Sequence, residues 1–334
     1  APYPHLAALP PRLQHWCSLR YLNLNANGLQ ALPDGLKDCQ SLRQLDVSDN
    51  QLSHLPDGLG ALTQLEILNL EYNPFETLPE ALWHLSALRD LDVTGTQLTT
   101  LTPDLVGLHQ LERLDLSENF LEGLPDALGS LEQLRILDAC ENQLDRLPAA
   151  MERLAVLHEL YLAHNQLMVI DPWMGELREL RRLDLSYNEL SELPLAIGQL
   201  RRLTWLNLEA NAFEEVPLGV FALRRLRELD LSDNQLEALP PEIGSLRRLE
   251  WLDLRNNQLT VLPTRLGKLS GVLKDLYLEG NYFDADAKSA IEAMLPNTNI
   301  YFDLEASFDL GQALDFGDDL GLGDDFDLGG ALDF

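Results

Sequence analysis

The stretch Leu22-Asn23-Leu24-Asn25-Ala26-Asn27-Gly28-Leu29 decides how this chain folds, because the same frame returns as Leu45-Asp46-Val47-Ser48-Asp49-Asn50-Gln51-Leu52 and again as Leu68-Asn69-Leu70-Glu71-Tyr72-Asn73-Pro74-Phe75. The period is 23 residues. Self-similarity at such a spacing marks a chain built by stacking one supersecondary unit. The asparagine column reads Asn27, Asn50, Asn73, Thr96, Asn119, Asn142, Asn165, Asn188, Asn211, Asn234, Asn257 and Asn281, which makes twelve repeats with one extra residue near Gly271.

Each column has a physical reason. In Leu-x-x-Leu-x-Leu the alternating leucines point inward from a short strand and the residues between them point out. Stacked repeats then form a parallel sheet. The turn after each strand would leave buried backbone groups unpaired, and an inward asparagine, with two donors and an acceptor, satisfies those of its own and the adjacent turn. Leu-Pro pairs at Leu32-Pro33, Leu55-Pro56, Leu78-Pro79, Leu124-Pro125, Leu147-Pro148, Leu193-Pro194, Leu239-Pro240 and Leu262-Pro263 open the return segments. Proline fixes φ and removes a donor, so the spacing predicts short 3-10 or extended turns on that side. Two further inward columns start at Leu36 and Cys39, which makes Cys39 a core residue that packs as a small hydrophobe.

This pattern resembles the 23-residue Leu-Pro class of intracellular leucine-rich repeats of Ras-pathway scaffolds, plant intracellular Ras-group proteins and many bacterial proteins, secreted effectors among them. The resemblance runs from Leu9 to Leu304. It implies an α/β fold: a leucine-rich-repeat solenoid, a curved horseshoe with a parallel sheet on the concave face and short 3-10 segments on the convex face. For function it implies a scaffold or recognition module, since one fold hosts many partners. Two departures predict irregular turns. They are Thr96, where a hydroxyl replaces the amide, and Ile170-Asp171-Pro172, where Leu-Pro is lost.

The stack needs covers at its ends. Residues 1–18 read as an N-terminal half repeat (Leu6, Leu9-Pro10, Leu13, Trp16), 19–283 as the twelve repeats, 284–304 as a capping helix and strand, and 305–334 as an acidic tail. Asp284 or Asp286 can cap a helix over Ala285 to Met294, with Ile291, Met294 and Leu295 facing the last repeat and Pro296 stopping it. A last strand is predicted over Ile300 to Leu304. The tail has acidic residues, no basic one, and Phe308, Phe316, Phe326 and Phe334 spaced among them. That composition is typical of disorder and resembles acidic activation segments and other fold-on-binding motifs.

A net charge of −30 disfavours nucleic acid and anionic membranes, which call for a basic face. The expected partner is a protein. Three cysteines (Cys17, Cys39, Cys140), without the clusters that close extracellular solenoids, and no N-x-Ser/Thr acceptor point to a reducing compartment. The chain reads as cytoplasmic, or as a secreted effector acting in a host cytosol. No stretch approaches the roughly 18–20 apolar residues of a membrane span.

Outward strand positions define the face a ligand would meet. One column carries Asp92, Asp115, Asp138, Asp184, Asp230 and Asp253, which repel one another unless solvated or met by a basic partner; Asp or Asn is also ordinary at this position of the class. The column before it places Trp205 and Trp251 two repeats apart, near Tyr161, Arg182 and Tyr187. Aromatic residues and arginine are the usual anchors of binding energy, so these five form the expected contact patch. Before the later strands Arg201-Arg202, Arg224-Arg225 and Arg247-Arg248 align as a basic edge, a solvated rim or a receptor for an acidic partner or the chain's own tail. The reading is thus a non-enzymatic scaffold or adaptor. The alternative is a signalling or transcriptional adaptor whose Phe-Asp-Leu tail recruits a second partner or covers the binding face. Cys140, with His164 on the next strand and Asp138 or Glu141 nearby, is the one nucleophile-like grouping, and an open sheet offers it no oxyanion pocket. No metal or cofactor site is predicted.

Overall fold

The computed structural model describes residues 18–303. The half repeat over Leu6 to Trp16 and the tail bearing Phe308, Phe316, Phe326 and Phe334 lie outside the described residues. The described strands run from β1 (Tyr21–Asn23) to β13 (Asn299–Tyr301) in one thirteen-stranded sheet whose order follows the chain. Every pairing is parallel and the central leucines stay level, as in Leu22↔Leu45 and Leu45↔Leu68. The strands are short because only the leucine-centred triplet is extended before the turn begins. The later ones are β7 (Glu159–Tyr161), β8 (Arg182–Asp184), β9 (Trp205–Asn207), β10 (Glu228–Asp230), β11 (Trp251–Asp253) and β12 (Asp275–Tyr277).

The inward columns form one continuous core. Leu59, Leu62, Leu65 and Leu68 are fully buried, and so is Cys39. Each such leucine removes enough apolar surface to contribute about 2 kcal/mol, before chain entropy is set against it. The asparagine ladder closes the turns. Asn165 donates through Nδ2 to the carbonyls of Ala139 (2.9 Å), Leu162 (3.1 Å) and Ala163 (3.3 Å), and its Oδ1 accepts from Leu144 N at 2.9 Å. One side chain therefore ties the backbone of its own turn to that of the turn before it.

The residue just before each ladder position is left-handed, with φ of 55° at Ala26, 52° at Asp49, 54° at Glu118 and 51° at Ala210. For a non-glycine residue this conformation costs about 1 kcal/mol. It is held because the asparagine bonds on both sides leave the turn no alternative. Glycine fills the position at Gly95, where a Cβ would sit 2.4 Å from the Tyr72 ring. That ring reaches past its neighbour repeat so that the Tyr72 hydroxyl donates to the Glu118 carboxylate at 3.1 Å.

Returns run through five-residue 3-10 segments such as Asp34–Asp38 and Asp57–Ala61. The preceding proline is extended, and its carbonyl accepts the first bond, Leu36 N to Pro33 O at 3.0 Å. The irregularity expected at Ile170-Asp171-Pro172 is absent. Asp171 takes φ −73° and ψ 154°, its carbonyl accepts from Met174 N at 3.1 Å, and the 3-10 segment Pro172–Glu176 has the usual length. The turn asks for an extended residue and a carbonyl, which aspartate supplies as well as proline.

At Thr96 the irregularity is real but small. The Thr96 hydroxyl donates to Val93 O at 2.7 Å, yet it does not serve Phe75 N, which bonds instead to Asn73 O at 2.8 Å. Gln97 then takes φ +65°, where no other repeat needs a left-handed non-glycine residue. The extra residue of the last repeat is absorbed in the return. The 3-10 segment Thr264–Leu269 has six residues and Leu273 N bonds to Leu269 O, one residue further back than in other repeats, so that Leu252↔Leu276 stay level.

Helix α1 spans Ala285–Met294, with Asp284 as the cap whose carboxylate accepts from Ala287 N at 2.8 Å. Ile291 and Leu295 are buried against the last repeat. The last strand is Asn299–Tyr301, not the predicted Ile300 to Leu304. It starts earlier because its triplet is set by the pairing Tyr277↔Tyr301, and Leu304 falls outside the described residues.

Candidate protein-binding face

The aspartate column does not stand as a row of free carboxylates. Ser48, Thr94, Ser117, Ser186 and Ser232 each lie two residues after an aspartate and give it both their backbone N–H and their hydroxyl, as in Ser186 N to Asp184 Oδ1 at 3.0 Å and Ser186 Oγ to the same oxygen at 2.7 Å. Asn69 and Asn207 accept the same backbone bond from Glu71 and Glu209. Asp and Asn thus close the strand end with an Asx turn, and one oxygen of each aspartate is committed. Burial, with the Asp115 charge added, pushes Asp138 up to about 6, and burial likewise lifts Asp230 to about 6. Asp115 is countered by Arg113 at 2.7 Å, which also lies 3.4 Å from Asp90. Asp253 is fully buried beneath the Arg255 guanidinium, 2.6 Å away.

The five expected patch residues separate into two groups. Arg182 and Trp205 are paired neighbours on β8 and β9, with Tyr161 one strand before and two positions along. The Tyr161 hydroxyl donates to Glu159 at 2.6 Å, and burial together with that bond pushes the phenol up. Tyr187 lies off the strands in the left-handed turn column, 43% exposed, stacked on His164 at 4.1 Å and bonded to Glu209 at 3.0 Å. Both tryptophans stand at outward strand positions and are half-buried.

Trp251 belongs to a second group that the sequence reading passed over. Its ring lies 5.5 Å from Tyr277, which stacks on Tyr301 at 4.5 Å, while Arg255 sits 5.5 Å above the Tyr277 ring. The signal was present, since the column through Tyr277 continues one repeat on to Tyr301. Between Trp205 and Trp251 opens a groove of about 460 Å³ lined also by Glu228, Asp230, Glu250, Lys274 and Asp275.

The paired arginines divide their roles. Arg202 pairs with Glu179, Arg224 donates to Ser245 O at 2.8 Å, and Arg247 donates to Lys268 O at 3.2 Å, so those three brace neighbouring repeats. Arg201, Arg225 and Arg248 are exposed. Arg201, Arg202, Arg224 and Arg225 line one cleft of about 560 Å³. Cys140 runs against a nucleophile's needs: burial and the Asp138 charge push its thiol up, away from thiolate, and His164 is taken up by Tyr187. Among the described residues no group of three His, Cys, Asp or Glu is placed to hold a metal ion, and no helix is long and apolar enough to cross a membrane.

An in-register parallel sheet backed by 3-10 returns and sealed by an asparagine ladder defines a solenoid repeat protein that presents one broad side-chain face. The chain belongs to the leucine-rich-repeat family, whose profile, described as Leucine rich repeat, matches residues 17–75, 40–98, 86–144, 109–167, 155–213 and 224–283. A leucine-rich-repeat protein of Leptospira interrogans is 33% identical, with 89% of this chain and 81% of that one covered and a TM-score of 0.79. An internalin (InlF) of Listeria monocytogenes is 23% identical over 88% of this chain and 83% of that one, TM-score 0.77. A plant peptide hormone receptor, RGFR1, solved in complex with RGF2, is 23% identical over 88% of this chain and 54% of that one, TM-score 0.67. The last two likenesses concern the fold alone. No match was found among curated proteins.

Proposed function

We propose that this chain is a non-enzymatic protein-binding scaffold or adaptor that grips a protein partner on the concave sheet face, centred on Tyr161, Arg182, Tyr187, Trp205 and Trp251. The observation that carries this reading is the groove between Trp205 and Trp251, where two large half-buried rings stand at outward strand positions beside charged groups. Aromatic anchors on a rigid sheet lose little entropy on binding. That a receptor of the same fold was solved with a ligand supports a binding role in kind, not in partner. The direction of the Cys140 shift supports the absence of nucleophilic catalysis. Affinity capture with the wild-type chain beside a Trp205→Ala/Trp251→Ala variant tests the patch. The variant is expected to lose captured proteins; identical sets would refute it.

A second reading is a regulatory adaptor in which the tail recruits another partner, and it rests on the phenylalanines spaced among acids from Phe308 to Phe334. Fusing residues 305–334 to a DNA-binding module tests its transcriptional form, with reporter activation as the expected result.

A further inference from the structure

The groove between the tryptophans has a composition that selects its occupant. Strand register places Glu228 between Trp205 and Trp251, each on an adjacent strand, so an indole, a carboxylate and an indole follow one another across β9, β10 and β11. Adjacent strands lie about 4.8 Å apart, which sets the two indole-bearing positions about 9.6 Å apart with the carboxylate midway. The two indoles therefore flank the carboxylate, one on each neighbouring strand, and all three line the same groove.

The charges converge on the same point. Glu228 is exposed and no ion pair or hydrogen bond engages its side chain. Asp230 and Asp275 also line the groove; Asp230 receives only Ser232, and Asp275 only neutral donors, Asn299 Nδ2 at 2.9 Å and the Tyr301 hydroxyl at 3.4 Å. Glu250 is already satisfied by Lys274 at 2.5 Å and Arg227 at 3.3 Å, so the one basic residue of the lining is neutralised at the rim. Glu228 and Asp275 thus remain without a cationic partner beside two indoles, and Asp230 feels only the charge of Arg255, whose guanidinium is already paired with Asp253.

We propose that the Trp205–Glu228–Trp251 triad is a receptacle for an arginine side chain presented by the protein partner. A guanidinium is planar and weakly hydrated, stacks on aromatic faces and forks onto a carboxylate, whereas an ammonium is compact and strongly hydrated. The assignment rests on the reading of this face as a binding surface and adds the chemistry of the group it takes.

The test uses the full chain labelled with ¹⁵N, and follows the indole Nε1–H signals of Trp205 and Trp251, with Trp83 and Trp173 as internal references on the opposite side of the repeats. The probes are the capped peptide Gly-Arg-Gly, its lysine counterpart and its neutral citrulline counterpart. The arginine peptide is expected to shift the Trp205 and Trp251 signals and leave the references still, with Kd raised about tenfold by Glu228→Gln and by citrulline. Lysine is expected to bind more weakly than arginine. No shift with arginine, equal shifts with citrulline, or an unchanged Kd in Glu228→Gln would each overturn the receptacle. If capture on the wild-type chain depends on the tryptophans while the arginine peptide fails, only the receptacle falls. If the peptide binds but capture is indifferent to both tryptophans, the broader reading of the face falls instead.

Discussion

Asp138 illustrates how one column of this chain trades stability for the closing of a turn. Its carboxylate accepts from Cys140 N at 3.0 Å, while burial and the neighbouring Asp115 raise it from 3.8 to about 6. A carboxyl whose folded-state pKa lies above its unfolded value binds protons more readily when folded, so it carries no penalty below about pH 4, a penalty that grows as pH rises from about 4 to about 6, and the full penalty above that. Asp138→Asn should therefore stabilise the chain by about 1–3 kcal/mol at pH 7 and by nothing at pH 3.5. Asparagine keeps the turn bond, as Asn69 and Asn207 do in the same column. Denaturation midpoints at the two pH values check this; an equal gain at both would show that charge is not the cause. The column itself was legible from its spacing, and so was its chemistry in outline, since Asp-x-Ser or Asp-x-Thr recurs at Asp46, Asp92, Asp115, Asp184 and Asp230. What spacing alone does not reveal is that the carboxylate turns along its own strand toward those donors instead of standing out to repel its neighbours.

The 3-10 segments were foreseeable as elements because proline supplies an extended residue without a donor, yet their closeness was not. Gly129, in the segment Asp126–Ser130, faces the next segment, Ala149–Arg153, and a Cβ there would lie 2.1 Å from Ala150 O. Gly129→Ala should cost about 2–4 kcal/mol, because backbone and not a flexible side chain must give way. Gly123→Ala is the matched control: its Cβ meets nothing within 4 Å, and a change within about 0.5 kcal/mol is expected. Similar losses at both sites in urea titrations would remove the steric account. The same limit explains why Tyr301 escaped the sequence reading of the face. It lies beyond the last asparagine, at Asn281, so no ladder residue marks its strand although the column of Tyr277 runs on to it, and the pairing of β12 with β13 stacks the two rings.

Over the described residues as a whole, each repeat touches chiefly the one before and the one after, so stability is a sum of repeat and nearest-neighbour terms. Deleting 124–146 removes one full period and joins Gly123 to Leu147, the residue equivalent to Leu124. The shortened chain should keep its far-UV circular dichroism per residue and unfold cooperatively, since β7 can take the place in the sheet of the lost strand Ile136–Asp138. Loss of cooperative unfolding would show longer-range coupling than nearest neighbours supply. The fold was legible at this scale because every column repeats the same physical demand. The face was only partly legible, because the columns vary there and what matters is which side chains meet across strands.

The six-residue return at Thr264–Leu269 takes in an additional residue and leaves the leucines of β11 and β12 level. Copying errors in a gene of this kind therefore have unequal consequences. A codon gained in a return segment is silent for the order in which side chains oppose one another across the sheet, whereas one gained inside a strand triplet reverses which residues face the core. Lineages can lengthen, shorten and drift on one side of the molecule while the lettering on the other side stays aligned.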